Sequence, residues 1–216
     1  MSGTGRITLA LLHADLRVEG LDYSRGLLDR LRGKLQTRGL VTELYEANAC
    51  DFSTGKQYGL IYIGFNSIAE VVVDDDKRKL FARVRMHLLP NGEFWLTAHN
   101  PAIRAMAFDG CERPLLGEQI KLAGGKVLEA TGRYNLDPIS KVVTGEQRFV
   151  VSHEGRETRR VVQNVRFHLI EPLQLEQLLN ASGFTVTQRF GDYTGSAFDH
   201  ETSPFFIVGC CATSSS

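Results

Sequence analysis

The sequence predicts an α/β fold, a wound and largely parallel sheet carrying an inserted antiparallel β segment. Three observations predict it. From Arg6 to Ala98, stretches with helical and with strand periodicity alternate, the pattern of strands joined by right-handed crossovers. From Lys126 to His168 the alternation stops, and three β-like stretches follow one another with only turn signals between them. A helix and a closing pair of strands then fill Glu171 to Cys211.

Arg6–Ala14 reads as a short helix after a glycine turn, with Ile7, Leu9, Ala10 and Leu12 as its apolar contacts. Leu16–Leu21 alternates like a strand and stops at Asp22, and Ser24 is placed to cap a helix carrying Leu27, Leu28, Leu31 and Leu35. Val41–Ala47 reads as another strand. Tyr58–Ile63 is apolar throughout, as expected of a strand covered on both faces. Asp74-Asp75-Asp76 favours the positive end of a helix that carries Leu80, Phe81, Val84 and Leu88. Pro90-Asn91-Gly92 predicts a turn ending that helix, followed by a strand over Glu93–Ala98 that closes at His99-Asn100-Pro101.

In the insertion, strands are predicted near Lys126–Tyr134, Lys141–Ser152 and Glu157–Phe167, separated by Asp137-Pro138 and His153-Glu154-Gly155. Glu171-Pro172 opens a helix with Leu175, Leu178 and Leu179, Gly183 caps its end, and Thr185–Phe190 and Pro204–Cys211 read as strands. The tail from Thr213 to Ser216 is expected to fray.

The 216 residues suit one domain, 1–216, with an insertion at 101–168. Lys+Arg and Asp+Glu are balanced at 25 each, which gives no general attraction to nucleic acid or to an anionic membrane. No run spans a bilayer and Met1–Arg6 lacks the organisation of a secretion signal, so a cytoplasmic protein is expected. Cys50, Cys111, Cys210 and Cys211 show no zinc spacing, and a redox pair at Cys210-Cys211 is disfavoured because neighbours on a strand face opposite ways.

Gly3-Thr4-Gly5 before a helix lets backbone N–H groups approach a ligand, though such a turn is weak evidence alone. Asp22 strengthens it, standing 17 residues after Gly5 at a strand tip, close to the spacing of about 20 at which an acid binds ribose hydroxyls. The competing reading of Asp22 is a helix cap.

Five ordered segments then carry a resemblance: Gly3-Thr4-Gly5-Arg6, Gly20-Leu21-Asp22-Tyr23-Ser24, Asn48-Ala49-Cys50-Asp51-Phe52, Tyr58–Ile61 leading to Phe65-Asn66-Ser67, and Leu88–Phe94. With Glu176–Phe184 and Phe190-Gly191-Asp192-Tyr193, they make the chain resemble the class I S-adenosylmethionine-dependent methyltransferases, and within them the branch acting on small metabolites and amino sugars. The resemblance implies a Rossmann-like sheet and S-adenosylmethionine as cofactor. It implies Gly3 and Gly5 beside the methionine portion and ribose, Asp22 on the ribose hydroxyls and Tyr23 flanking adenine. Asn48 stands where the family usually has aspartate, with Ala49 and Cys50 beside the base. Gly64 and Phe65 fall where cofactor and acceptor meet. The family's apolar strand and further glycine before the Gly-Thr-Gly are missing ahead of Gly3, which predicts two strands left unpaired.

Tyr62, Asn66 and His99 are the candidate catalytic groups, at predicted strand ends facing one crevice. His99 suits a general base or a structural hydrogen-bonding role. The expected reaction is methyl transfer to nitrogen or oxygen of a small-molecule acceptor, with the insertion acting as a lid or as the contact of a homodimer. Two rivals remain: a nicotinamide-dependent oxidoreductase, against which Thr8 replaces the third glycine of its fingerprint, and a non-catalytic methyltransferase-like subunit.

Overall fold

A computed structural model describes residues 1–117 and 119–213. The amino-terminal unit comprises α1 (Arg6–His13), β1 (Gly20–Asp22), α2 (Arg25–Thr37) and β2 (Leu44–Glu46). Gly5 starts α1 with φ +83°, and a Cβ there would lie 2.2 Å from Leu31 Cδ1, so backbone and packing both demand glycine. Leu9, Leu31 and Leu35 form the small core that this close approach creates. Ser24 caps α2 as predicted, its hydroxyl accepting from the Leu27 amide.

The two predicted strands here are shorter than their sequence patterns. Only Gly20–Asp22 of the predicted Leu16–Leu21 stretch, extended by Asp22, and Leu44–Glu46 of Val41–Ala47 form ladder, paired in parallel. β1 and β2 make a sheet of their own, and a two-stranded pair is marginal without further neighbours.

The main sheet contains β3 (Tyr58–Ile63), β4 (Leu88–His99), β10 (Phe184–Phe190) and β11 (Phe205–Ala212), in the order β10-β11-β4-β3. β3 is parallel to β4, and β11 is antiparallel to both its neighbours. α3 (Asp74–His87) and α5 (Pro172–Ala181) pack on one face through Leu80, Phe81, Leu175 and Leu179, against Phe94, Phe184 and Phe206. The rings of Phe81, Phe94 and Phe184 meet at 5.4–6.5 Å, and each fully buried Phe contributes about 1.5–3 kcal/mol.

Two expectations are corrected. Pro90-Asn91-Gly92 does not end the helix: α3 stops at His87, Leu88 turns extended, and the triplet lies inside β4, opposite a register shift between Tyr58 and Leu60. Proline is tolerated at such a bulge. Nor is β3 covered on both faces, since it ends the sheet and leaves Leu60 52% exposed.

After α4 (Pro101–Arg104), the insertion forms a separate sheet of β5 (Asp109–Pro114), β6 (Ile120–Lys121), β7 (Lys126–Leu136), β8 (Val142–His153) and β9 (Arg156–His168), in the order β5-β7-β8-β9 with β6 on β7. The last three are the predicted meander; β5 and β6, rich in charge and turn residues, escape a hydrophobic-pattern reading. Phe108, Val143 and Leu169 form its core, with Tyr134, Leu136 and Phe167 around them. Gly183 terminates α5 at φ +81°. The expected tail lies, from Ser214 onward, outside the described residues.

Candidate functional site

The sequence-predicted residues gather at the carboxyl ends of the parallel strands. Asp22 closes β1 and is 4% exposed. Its Oδ2 accepts from the Gly3 amide at 2.8 Å and lies 3.1 Å from the Met1 ammonium, while Oδ1 accepts from the Ser24 amide at 2.9 Å. Burial alone would raise this carboxyl, but the Ser24 and Gly3 amides and the ammonium hold it below the ordinary aspartate value. Asp22 thus ties the glycine loop to the strand tip and also supports the start of α2.

Gly3 has φ +55° and open space where a Cβ would stand. Tyr23 is 72% exposed beside it. The neighbouring strand arrives at the same level: the Ala47 amide donates to the Asp22 carbonyl at 3.1 Å. Asn48 follows, and its Oδ1 accepts from the Cys50 amide at 2.9 Å. That turn uses its acceptor and leaves the side-chain N–H groups for another partner. Ala49 and Cys50 pack against the main core, and burial pushes the Cys50 thiol up, with Asp76 adding to the effect.

At the end of β3, a Cβ on Gly64 would lie 2.6 Å from Ile7 Cδ1, so α1 sits close over the strand tip. Phe65 and Asn66 both have positive φ, +51° and +58°, a costly conformation for two successive non-glycine residues. The Arg6 guanidinium covers the Phe65 ring at 4.4 Å, and Asn66 Oδ1 accepts from the His99 amide at 2.8 Å. Asn66 therefore splices the ends of β3 and β4. Tyr62 lies beneath α1, with Thr8 as its side-chain partner and burial raising its phenol.

His99 stacks on Phe205 at 5.6 Å, and its Nδ1 is buried with no hydrogen-bond partner. Burial, with the Arg104 charge, pushes its pKa down to about 4. A neutral imidazole at physiological pH is the consequence. Asn100 is fully buried and is spent on structure, holding the His200 and Ser203 carbonyls and capping α4.

Sequence reasoning assigned no role to three nearby residues. Trp95 and Tyr193 line an apolar cleft of about 350 Å³ with Tyr62, Phe65 and Thr97. Their aromatic character was legible, but their meeting depends on the antiparallel return of β11. Glu70, at the end of the helical turn after Asn66, has its carboxyl raised by burial and by the Asp22 charge; no sequence pattern marks it. Among the described residues no cluster of His, Cys, Asp and Glu could hold a metal ion, and no helix is long and apolar enough to cross a membrane.

A strand-end crevice with a glycine loop and an acid one strand away is the arrangement in which α/β sheets bind nucleotides, and the comparisons show which proteins share this fold. Residues 1–92 match the family described as a methyltransferase domain. Over 99% of this chain and 82% of the other, the fold matches an S-adenosylmethionine-dependent methyltransferase from Clostridium acetobutylicum, with a TM-score of 0.85 at 14% identity. The CcbJ methyltransferase of Streptomyces caelestis matches at TM-score 0.79 and 22% identity, over 98% and 86% of the two chains. CalS10 of Micromonospora echinaspora, an amino pentose methyltransferase, matches at TM-score 0.72 and 18% identity, over 98% and 80%. A comparison with curated proteins gave no match. The chain therefore shares the fold of these methyltransferases, and its first 92 residues match the methyltransferase domain family.

Proposed function

We propose that the chain transfers the methyl group of S-adenosylmethionine to a nitrogen or oxygen of a small-molecule acceptor. The observation that carries this reading is the Gly3–Asp22 contact at 2.8 Å, which sets glycine loop and acidic strand tip side by side. The described structural neighbours include an amino pentose methyltransferase and a sugar N-methyltransferase, which supports an amino-sugar type of acceptor.

Gly3, Gly5, Asp22 and Tyr23 would hold the ribose and methionine side, Asn48, Ala49 and Cys50 the adenine, and Gly64 and Phe65 the region of the reacting centre. When bound, the sulfonium supplies a methyl group already activated for in-line displacement. The protein's contribution is then orientation and exclusion of water. Tyr62 and Asn66 position the end of β3, and the β insertion closes over the crevice. Cofactor binding by Asp22 is tested by Asp22→Ala, which is expected to weaken S-adenosylhomocysteine binding by about 1.5–3 kcal/mol, the scale of hydrogen bonds to a charged group. An unchanged dissociation constant by titration calorimetry, in a variant with parental melting, removes Asp22 from the site. Titration with NAD in parallel excludes or revives the nicotinamide reading.

His99 is a secondary contributor in this scheme. A group that protonates near pH 4 is a weak base at neutral pH, far from the match that makes general bases efficient. The expected acid limb of kcat/KM therefore shows no loss from His99 between pH 7.5 and about 5.5, and His99→Ala keeps measurable turnover. An acid limb near pH 6.5 that disappears in His99→Ala would instead make His99 the base.

A further inference from the structure

The main sheet has two unlike faces. Phe94, Phe206 and Val208 pack in the core with α3 and α5, so the alternation of strand residues turns Tyr62, Trp95, Thr97 and Ile207 to the other side. There they floor the cleft of about 350 Å³, Tyr62 level with Trp95 and Thr97 level with Ile207. Trp95 is fixed three ways: it stacks on Phe190 at 6.0 Å, its Nε1 donates to Glu93 at 2.8 Å, and Gly209 leaves the space for its ring, since a Cβ there would lie 2.7 Å from it. One wall of the cleft, Tyr193, is fixed as well. It packs on Phe205 at 5.1 Å, in a loop that Asp192 ties by accepting from the Thr194 and Ser196 amides.

The other wall, Phe65, is held differently. Its ring is 52% exposed and its φ is +51°, with Asn66 following at +58°. Asparagine adopts this conformation readily, whereas an aromatic residue is strained in it. Packing from the core does not supply the restraint at so exposed a position; α1 does. Ile7 closes on Gly64, where a Cβ would lie 2.6 Å from its Cδ1, and the Arg6 guanidinium lies over the Phe65 ring at 4.4 Å. A cation over a ring face is a directional tie that works in an exposed place.

We propose that Arg6 is a positioning residue for acceptor recognition: by holding Phe65 in its strained turn it completes, with Tyr193 and Trp95, a slot that takes an apolar ring carried beside the methylated atom. Strain kept at an exposed residue that adds little packing serves the shape of a site rather than the stability of the fold. The ring is uncharged and apolar because no charged side chain lines the cleft. The polar side-chain groups there are the hydroxyls of Tyr62, Thr97 and Tyr193 and the Trp95 N–H, and the last is already used on Glu93. Aromatic walls favour a ring that stacks on them or meets them edge-on. The word acceptor rests on the methyl-transfer reading; the slot itself is measured without it.

Trp95 is the single tryptophan of the chain, so its fluorescence reports on the slot directly. The full chain is titrated with benzylamine, cyclohexylamine and D-glucosamine, which share an amine and differ in the ring. Saturable changes in Trp95 emission are expected for the first two, the aromatic ring binding more tightly, while D-glucosamine binds about ten-fold more weakly because its hydroxyls find few partners. Arg6→Gln is expected to weaken benzylamine about five-fold and Arg6→Lys less, since an ammonium still places a cation on the ring. Phe65→Gly loses about ten-fold in affinity yet melts no lower than the parent, because glycine accepts the positive φ without strain. The proposal is overturned if D-glucosamine binds as well as benzylamine, if Arg6→Gln binds benzylamine like the parent, or if Phe65→Gly lowers the melting temperature, which makes Phe65 a structural residue. Titration with S-adenosylhomocysteine separates the two readings. A larger loss for that ligand than for benzylamine in Arg6→Gln makes Arg6 a cofactor contact and also overturns the proposal. A parent that binds S-adenosylhomocysteine but neither ring amine sinks the slot alone, and one that binds the ring amines but not S-adenosylhomocysteine sinks the methyl-transfer reading and leaves the Arg6–Phe65 slot standing.

Discussion

Cutting the insertion back to a linker of about eight glycine and serine residues between Phe108 and His168 is expected to abolish turnover while S-adenosylhomocysteine still binds; such a linker reaches about 16 Å. The cofactor candidates Gly3, Asp22 and Asn48 make their described hydrogen bonds to residues before Phe52, and none of those bonds involves the insertion. The insertion is rooted instead past the end of β4, where Asn100 caps α4 just after His99, and Leu169 packs on Phe108 and Val143. If closure supplies the near-attack geometry, up to about 7–11 kcal/mol of barrier lowering is lost with it, against a general base worth about 10²- to 10⁴-fold in rate. Retaining His168 keeps the buried Lys77 paired, so the variant's melt serves as the control for folding. The measurement is S-adenosylhomocysteine formation with an acceptor found by screening amino sugars and related small molecules. A shortened variant that turns over at the parental rate refutes the lid. If it also changes from dimer to monomer at full activity, the insertion is an assembly contact.

The parts of this molecule legible in sequence are those whose cause is local. α2 is announced by Ser24 and its leucine spacing, α3 by three aspartates at its start, α5 by Pro172 at its first turn and Gly183 past its end. β7 to β9 were legible because each runs long between clear turn signals. What failed to read depends on neighbours. Leu16–Leu21 has strand alternation, yet only Gly20–Asp22 forms ladder because the edge facing β3 is unpaired. Pro90 has turn chemistry, yet a register shift lets it sit in β4. In the site, the glycines and Asp22 were visible by spacing, whereas the Asn66–His99 splice and the meeting of Trp95, Thr97 and Tyr193 arise from pairings across the sheet.

Lys77→Met is expected to destabilise the fold by about 3–5 kcal/mol, the range for removing one partner of a buried charged network. The Lys77 side chain is fully buried at the junction of core and insertion, and its ammonium has three donors with three acceptors: the Val72 carbonyl at 3.0 Å, Asp74 Oδ1 at 3.1 Å and His168 Nδ1 at 2.9 Å. Gln174 of α5 holds the other Asp74 oxygen at 3.0 Å, so three elements meet on one cation. With Lys77 charged, His168 must accept and is therefore neutral, its proton on Nε2. Burial lowers the His168 pKa, the Lys77 charge lowers it further, and Asp74 partly opposes both. Lys77 is itself lowered by burial against Asp74 and Asp76. A histidine depressed in the folded state binds fewer protons there than in the unfolded chain, so stability rises with pH through this window. It is complete above about pH 6.5 and falls as pH drops from there toward the folded pKa. The carboxyl of Asp74, held down against burial by Lys77 and Gln174, adds a loss only at lower pH, below the ordinary aspartate range. Urea unfolding at pH 7.5 and 5.5 separates the terms: the parent is less stable at pH 5.5, and Lys77→Met is less stable at both but loses less between them, because the cation beside His168 is gone. Parental stability in Lys77→Met, or an unchanged difference between the two pH values, would show that His168 is not held neutral by Lys77.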